Sequence, residues 1–222
     1  DHGVIVANAP RGNVYAAAEQ TIGLAYNAAK HIPESHIQVR EGEWGEEFGG
    51  LELNGMTAGI VGLGRLGQEV AWRYDNLGMD LVAYDPYLGE ARARQMGIEL
   101  LELDELIERV DLLSVQARLT DETRGLIGPE RVKAFNGDLV VITSRGGIVD
   151  EPALAEAVEN GDIEAAGVDV FSTEPPGKDH PFIGVDGIVV TPHLGAKTHN
   201  AQVNVAVTAA DSIISGLEGD MV

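Results

Sequence analysis

Six short apolar runs recur along the chain: AGIVG from Ala58, DLVAY from Asp80, DLLSV from Asp111, DLVVI from Asp138, AAGVDVF from Ala165 and GIVVT from Gly187. Each has the length of a strand, and most lack polar alternation, as strands covered on both faces of a parallel sheet do. Between the first two runs, Leu66, Val70, Tyr74 and Leu77 recur at helical spacing, and LDELIERV and EPALAEAV supply further helices. The alternation of strand and helix predicts an α/β fold with a doubly wound parallel sheet. Asp150 is placed to cap the helix after the fourth run, with Pro152 in its first turn and Gly161 as its stop. Outside this core, VIVAN predicts a short strand and NVYAAAEQTIGLAYNAAK an Ala-rich helix. The stretch from His31 to Asn54 has little periodicity and reads as a loop with short turns. Val203, Val207, Ala210, Ile214 and Leu217 mark a long amphipathic helix near the end.

The chain has 222 residues, enough for one large domain or two small ones with a sizeable core. It contains no cysteine, which removes disulfide frameworks, Cys-ligated zinc, iron-sulfur clusters and thiol nucleophiles; no metal site is expected. No apolar run reaches the ~18 residues of a membrane span, and the start lacks the basic residues of a secretory signal. A cytoplasmic protein without a membrane partner is the expectation. Thirty-six acids against 15 bases give a net charge of -21, which demotes nucleic-acid binding because that affinity rests on Lys and Arg. The acids are spread along the chain and belong to the folded surface. That pattern fits either adaptation to high salt or an ordinary acidic enzyme.

The first chemical signal is GLGRLG, which places Gly62, Gly64 and Gly67 in GxGxxG spacing. It follows a predicted strand and opens a predicted helix, so backbone N–H groups would face a pyrophosphate. A side chain at these positions would block the tight turn, the approach of the phosphate or the helix-to-strand contact. Asp85 ends the second strand, 18 residues beyond Gly67. A carboxylate there accepts hydrogen bonds from ribose hydroxyls and repels a 2′-phosphate, which favours NAD over NADP. An ordinary tight turn followed by a turn aspartate is the alternative.

Three polar residues fall just past strand ends: Arg145 after DLVVITS, Glu174 after AAGVDVFST and His193 after GIVVTP. That edge of a parallel sheet is where ligands bind. Arg can hold a carboxylate with two hydrogen bonds, while Glu beside His fixes its tautomer and favours its protonated form. Together they make an anion anchor and a proton donor. Singly, each has a bland explanation as a surface charge or a structural histidine. His2, His31, His36, His180 and His199 have no such placement and read as surface residues.

These residues resemble a known family, the D-isomer-specific 2-hydroxyacid dehydrogenases. NAPRGNVYAAAEQTIGL, GLGRLGQEV with YDP, SRGGIVDEPALAEAV, AAGVDVFSTEPP and TPHLGA carry the resemblance over nearly the whole chain, in the family's order. It implies a Rossmann-type NAD-binding domain over residues 11–218, preceded by a remnant of a substrate-binding lobe (1–10) and followed by a tail (219–222). By the same resemblance, the family's catalytic N-terminal lobe is represented here by no more than its last strand, VIVANAP. The resemblance implies that Arg145 binds the substrate carboxylate and keto oxygen, that His193 is the acid/base and that Glu174 is its partner. Cofactor contacts are implied for Arg65 and Leu66 at the pyrophosphate, Asp85 at the ribose, Thr143 and Ser144 near the nicotinamide, and Ala117 after the third strand. Asp169 would bind the carboxamide, with main-chain contacts in His193 to Ala196, including Gly195. The implied partners are a small 2-hydroxy or 2-oxo acid and a second copy of the chain, with the Ala-rich helix from Val14 and its following loop at the homodimer interface.

The sequence departs from the family in two places. Gln116, Ala117, Arg118 and Leu119 replace a His-x-Pro-Leu stretch, so that Arg118 could alter the adenine side or meet a substrate phosphate. Ile142 replaces an Asn. Without the closing lobe, the chain is expected to bind NAD(H) but to reduce 2-oxo acids poorly, because an open cleft leaves substrate solvated and loosely oriented. A noncatalytic NAD-sensing interaction module and a family enzyme with another substrate are the alternatives. A sensing module would need no proton donor.

Overall fold

The computed structural model of the chain describes residues 6, 8–45 and 49–218. The predicted strand over VIVAN falls largely, and the tail 219–222 wholly, outside the described residues. Among the described residues, seven strands form one parallel sheet: β1 (Thr57–Val61), β2 (Asp80–Tyr84), β3 (Glu99–Leu100), β4 (Leu112–Val115), β5 (Leu139–Ile142), β6 (Ala165–Val168) and β7 (Ile188–Val190). Their order is β3-β2-β1-β4-β5-β6-β7, the doubly wound arrangement in which the chain reverses direction of growth between β1 and β4. Helices are α1 (Val14–Ala29), α2 (Ile32–Glu41), α3 (Arg65–Asn76), α4 (Glu90–Gln95), α5 (Leu103–Arg109), α6 (Pro129–Ala134), α7 (Glu151–Glu159) and α8 (His199–Glu218).

The sheet is covered on both faces, and its two-residue side-chain period sorts neighbours into two cores. Leu112, Leu139 and Val141 pack with α1 and α3 residues such as Leu24, Val70 and Tyr74. Leu113, Val140 and Ile142 pack with Leu106, Val132 and Leu154 from α5, α6 and α7. The parallel registers Val61↔Val115 and Ile142↔Val168 bring the strand ends level, so the loops after them open onto one rim. Asp150 caps α7 by accepting the Ala153 N–H, Pro152 lies in the first turn, and Gly161 follows the helix with a φ of 74°.

Several elements differ from the sequence reading. Residues 32–41 form α2, where a loop was expected. No α2 residue is buried, so the helix leaves no apolar stripe to detect, and it stops at Gly42 in the left-handed region. The short β3, α4 and α6 likewise carry too few core positions to show a period. The AAGVDVF run is a strand only through Val168. His180 and His31 are not surface residues: their side chains are 9% and 15% exposed, each beside a glutamate. His36 and His199 are exposed as expected, and His2 lies outside the described residues. The apolar residues of α8 form a helix as predicted, but only Ala201 is buried against this chain. Among the described residues, no helix is long and apolar enough to cross a membrane.

Candidate active site

β1 ends at Val61 and the chain turns at once. Gly62 has a φ of 97°, and a Cβ there would lie 2.8 Å from the backbone of Ala117, so both conformation and space require glycine. At Gly67 a Cβ would overlap the Gly62 carbonyl oxygen, which lets α3 start directly against the strand. Gly64 differs: a Cβ on it would meet nothing within 4 Å. Its bareness serves a space the protein leaves open. That space faces the N-terminus of α3, where Arg65 and Leu66 line a cleft of about 1100 Å³. Partial positive charge at a helix start and bare backbone suit a phosphate group.

Asp85, just past β2, anchors the glycine turn. Its Oδ2 accepts the Leu63 N–H and its Oδ1 accepts the Tyr87 N–H at 2.9 Å. Each oxygen keeps a lone pair toward the cleft for a ribose hydroxyl. The cleft runs from Asp85 and Tyr87 past Gly62, Gly64 and Ala117 to Thr143, Ser144, Arg145, Asp169, His193, Gly195 and Ala196. Three arginines (Arg65, Arg118, Arg145) and three acids (Asp85, Glu122, Asp169) line it, so the cleft is locally balanced on a chain with net charge -21. An anionic ligand meets far less repulsion there than elsewhere on the surface.

Arg118, Tyr87 and Glu122 frame the end of the cleft beyond Asp85. The Tyr87 hydroxyl donates to Glu122 Oε2 at 2.5 Å, and the neighbouring carboxylate pushes the phenol above its usual pKa. Beneath the opposite end, Thr143 and Gln116 are buried and bonded to each other. Thr143 Oγ1 also lies 2.6 Å from Thr21 Oγ1, and Gln116 Nε2 donates to Ser114 Oγ. Gln116, the departure from the family pattern, thus holds the cleft floor. Ile142 is a core residue of β5. Ser144 lines the cleft, and its Oγ is buried without a protein partner.

At the β6 and β7 ends, the Asp169 carboxylate is fully buried. Its Oδ1 accepts from Gln20, Thr191 and the Leu194 N–H, and its Oδ2 from the Gly195 N–H. Asp169 therefore shapes the His193–Ala196 loop. Gln20 and Thr21 were missed from sequence; their only signal is a polar pair interrupting the apolar face of α1. His193 adopts a φ of 53°, rare for a residue with a side chain, and its N–H donates to the Asp169 carbonyl at 2.9 Å. That bend presents the imidazole to the cleft. His193 Nδ1 lies 2.7 Å from Glu174 Oε2, while Glu174 Oε1 accepts the Phe171 N–H at 3.1 Å. Burial pushes the Glu174 carboxyl up, but the hydrogen bonds from His193 and Phe171 and the charges of His193 and Arg145 outweigh it, leaving it below the ordinary carboxylate range. All the sequence-predicted cofactor and catalytic residues except Gly67 and Glu174 line the one cleft. Gly67 sits behind the turn and Glu174 behind the imidazole.

The bare Gly64, the α3 start and the Asp85 carboxylate along one continuous cleft fit an adenine dinucleotide. Comparison with known proteins defines the class. The NAD binding domain of the D-isomer specific 2-hydroxyacid dehydrogenases matches residues 22–195, and the chain belongs to that family. The cofactor of this domain is NAD.

Among its relatives are D-3-phosphoglycerate dehydrogenase of Archaeoglobus fulgidus, 44% identical over 219 residues, covering 98% of this chain and 42% of the relative. The enzyme of the same name from Mycobacterium tuberculosis is 47% identical over 222 residues, covering 99% and 42%. The chain thus spans less than half the length of these relatives. Solved structures with the same fold include a glyoxylate reductase from Paecilomyes thermophila, with a TM-score of 0.89, 28% identity and coverage of 96% of this chain and 65% of that one. An NAD-dependent formate dehydrogenase from Staphylococcus aureus in complex with NAD has a TM-score of 0.85 with 27% identity, covering 96% and 65%.

Proposed function

We propose that the chain is the nucleotide-binding part of an NAD-dependent dehydrogenase acting on a D-2-hydroxy acid, with D-3-phosphoglycerate as the substrate. The observation that carries the reading is the His193–Glu174 hydrogen bond at 2.7 Å beside a cleft whose far end is the glycine turn and Asp85. Relatives 40–47% identical bearing the name D-3-phosphoglycerate dehydrogenase support the choice of substrate. When bound, NAD supplies the hydride acceptor, or the donor in the reverse direction.

The chain's own residues do the rest. Arg145 offers the substrate carboxylate a planar pair of donors. His193 takes the proton of the C2 hydroxyl on Nε2 as the hydride leaves, because Nδ1 is engaged with Glu174. Glu174 holds that tautomer and offsets the imidazolium charge that forms. Asp169 fixes the backbone bend that delivers the imidazole. Arg65, Leu66 and Gly64 would hold the pyrophosphate, Asp85 the ribose, and Ala117, Thr143, Ser144, Gly195 and Ala196 the remainder of the dinucleotide. A noncatalytic sensing module has no use for a histidine bent into the left-handed region and paired with a carboxylate. A homodimer is part of the same reading: α2 buries nothing in this chain, and Ile32, Ile37, Val39 and the following Trp44 are exposed. Light scattering at twice the mass of the chain would support it, and a monomer would count against it.

The test is NAD reduction by the full-length gene product with D-3-phosphoglycerate, D-lactate, glycolate and formate in parallel. The highest kcat/KM is expected with D-3-phosphoglycerate. A higher value with another acid would reassign the substrate, and no turnover with any would overturn the enzymatic reading.

A further inference from the structure

Behind Glu174 lies a second carboxylate–imidazole pair that the proposed reaction does not touch. Glu151, the first residue of α7, is 8% exposed. Its Oε1 accepts the Ser172 N–H at 2.6 Å, and its Oε2 accepts the Ser172 hydroxyl at 2.6 Å and lies 3.1 Å from His180 Nε2. His180 Nδ1 accepts the Phe182 N–H at 3.3 Å, so its proton sits on Nε2 and points at Glu151. The ring is wedged between Phe171, edge-on at 5.2 Å, and Phe182 at 5.1 Å. Every polar atom of this pair is therefore spoken for, and none of its residues lines the cleft.

What the pair holds is the Phe171–Ser172 turn, and that turn serves both halves of the site. Its two successive N–H groups go to different carboxylates: Phe171 to Glu174, Ser172 to Glu151. On its other side the turn presses on Gly146, next to Arg145, where a Cβ would fall 1.9 Å from the Phe171 carbonyl carbon. A shift of the turn moves the donor that aims Glu174 and the support of the Arg145 loop together. Glu151 at a helix start is itself steadied by the α7 dipole, which makes it a firm anchor.

We propose that Glu151, Ser172 and His180 form a clamp that positions Glu174 for its bond to His193, which makes them positioning residues for the reaction inferred above. The clamp acts through Glu174 and not through the cofactor. Glu151→Gln puts an NH2 group against one of three donors that the fixed His180 tautomer and the Ser172 N–H cannot withdraw. His180→Gln keeps a donor toward Glu151, whereas His180→Ala removes it.

The experiment is a double-mutant cycle on the full-length gene product, read by steady-state kinetics, with 15N-histidine NMR of the His193 Nδ1 proton alongside. Glu151→Gln and His180→Ala are expected to lower kcat by roughly tenfold to a hundredfold, as a misplaced catalytic group does, to raise the substrate KM through the Arg145 loop, and to change the NADH Kd less than about twofold. His180→Gln should restore most of the loss. In a Glu174→Gln background, Glu151→Gln should cost less than about twofold further in kcat, because the acid/base partner it positions is already gone. The His193 Nδ1 proton should shift and exchange faster in Glu151→Gln. If Glu151→Gln does not fold, Ser172→Ala, which removes a single donor, is expected to show the same non-additivity at smaller size. An equal fold-loss in both backgrounds, or an unchanged kcat and resonance, would overturn the clamp. Absence of turnover with every 2-hydroxy acid would instead sink the proposed function, and the resonance alone would then decide for or against the clamp.

Discussion

Asp85 Oδ2 accepts the Leu63 N–H at 2.8 Å, so the residue proposed to hold the ribose also fixes the glycine turn proposed to hold the phosphates. Two parts of the dinucleotide site are thereby coupled through one carboxylate. Asp85→Asn sets an amide N–H2 against a backbone donor at either Leu63 or Tyr87 and removes the charge that repels a 2′-phosphate. NADH affinity is expected to fall about tenfold, about 1.4 kcal/mol, and the preference for NADH over NADPH to shrink with it. Calorimetric titration with both nucleotides measures this directly.

Arg145 and His193 are expected to fail in different ways. Arg145 is exposed on the rim while His193 is pinned by Asp169 and Glu174. Arg145→Ala should chiefly raise the substrate KM. His193→Gln should lower kcat by about 10²–10⁴-fold with little change in NADH binding. Kinetics of the full-length gene product, with nucleotide binding measured separately, resolve the two.

Glu174 sets an acid-side dependence. Its carboxyl titrates below its ordinary value in the folded chain, so its contribution to stability is complete above the ordinary carboxylate pKa and is lost as pH falls through the lowered one. Glu174→Gln removes that contribution. The melting temperature of the variant should therefore lie below that of the parent at about pH 6, and the gap should narrow as pH falls below the ordinary carboxylate range. Parallel thermal melts across that range provide the check, and a gap that widens toward acid would contradict the assignment.

Most of the sheet and the site were legible because both rest on local rules. Strands buried on two faces are continuous apolar runs, and the site residues follow those runs within a few positions, as Arg145 follows β5 and His193 follows β7. The illegible parts depend on contacts between distant segments. α2 buries no residue and so has no periodicity to betray it. His180 reads as a surface residue until the fold brings it to Glu151, 29 positions away, between Phe171 and Phe182. Asp169 reads as a ligand group, yet four donors converge on its buried carboxylate, a fact set by the β7 loop and α1 and not by its own neighbours.

Charge gives a prediction of its own. With a net charge of -21 on 222 residues, self-repulsion opposes the compact state, and salt screens it. Raising potassium chloride from about 0.05 M to about 1 M, which cuts the screening length severalfold, should raise the melting temperature by at least about 5 °C. A flat response would mean that the acids are spaced too widely to matter.

The central claim is that a dinucleotide lies across the glycine turn, and Gly64 tests it best. A side chain there would enter open space in the protein alone, its φ of -64° suits any residue, and Thr serves as well as Gly at the start of a helix. Titration of NADH into the parent chain and into Gly64→Thr, with melting temperatures compared beforehand, is the decisive measurement. Saturable binding to the parent, equal melting of the two proteins and loss of most binding in the variant are expected. Equal NADH binding by both would show that the nucleotide does not lie across the glycine turn.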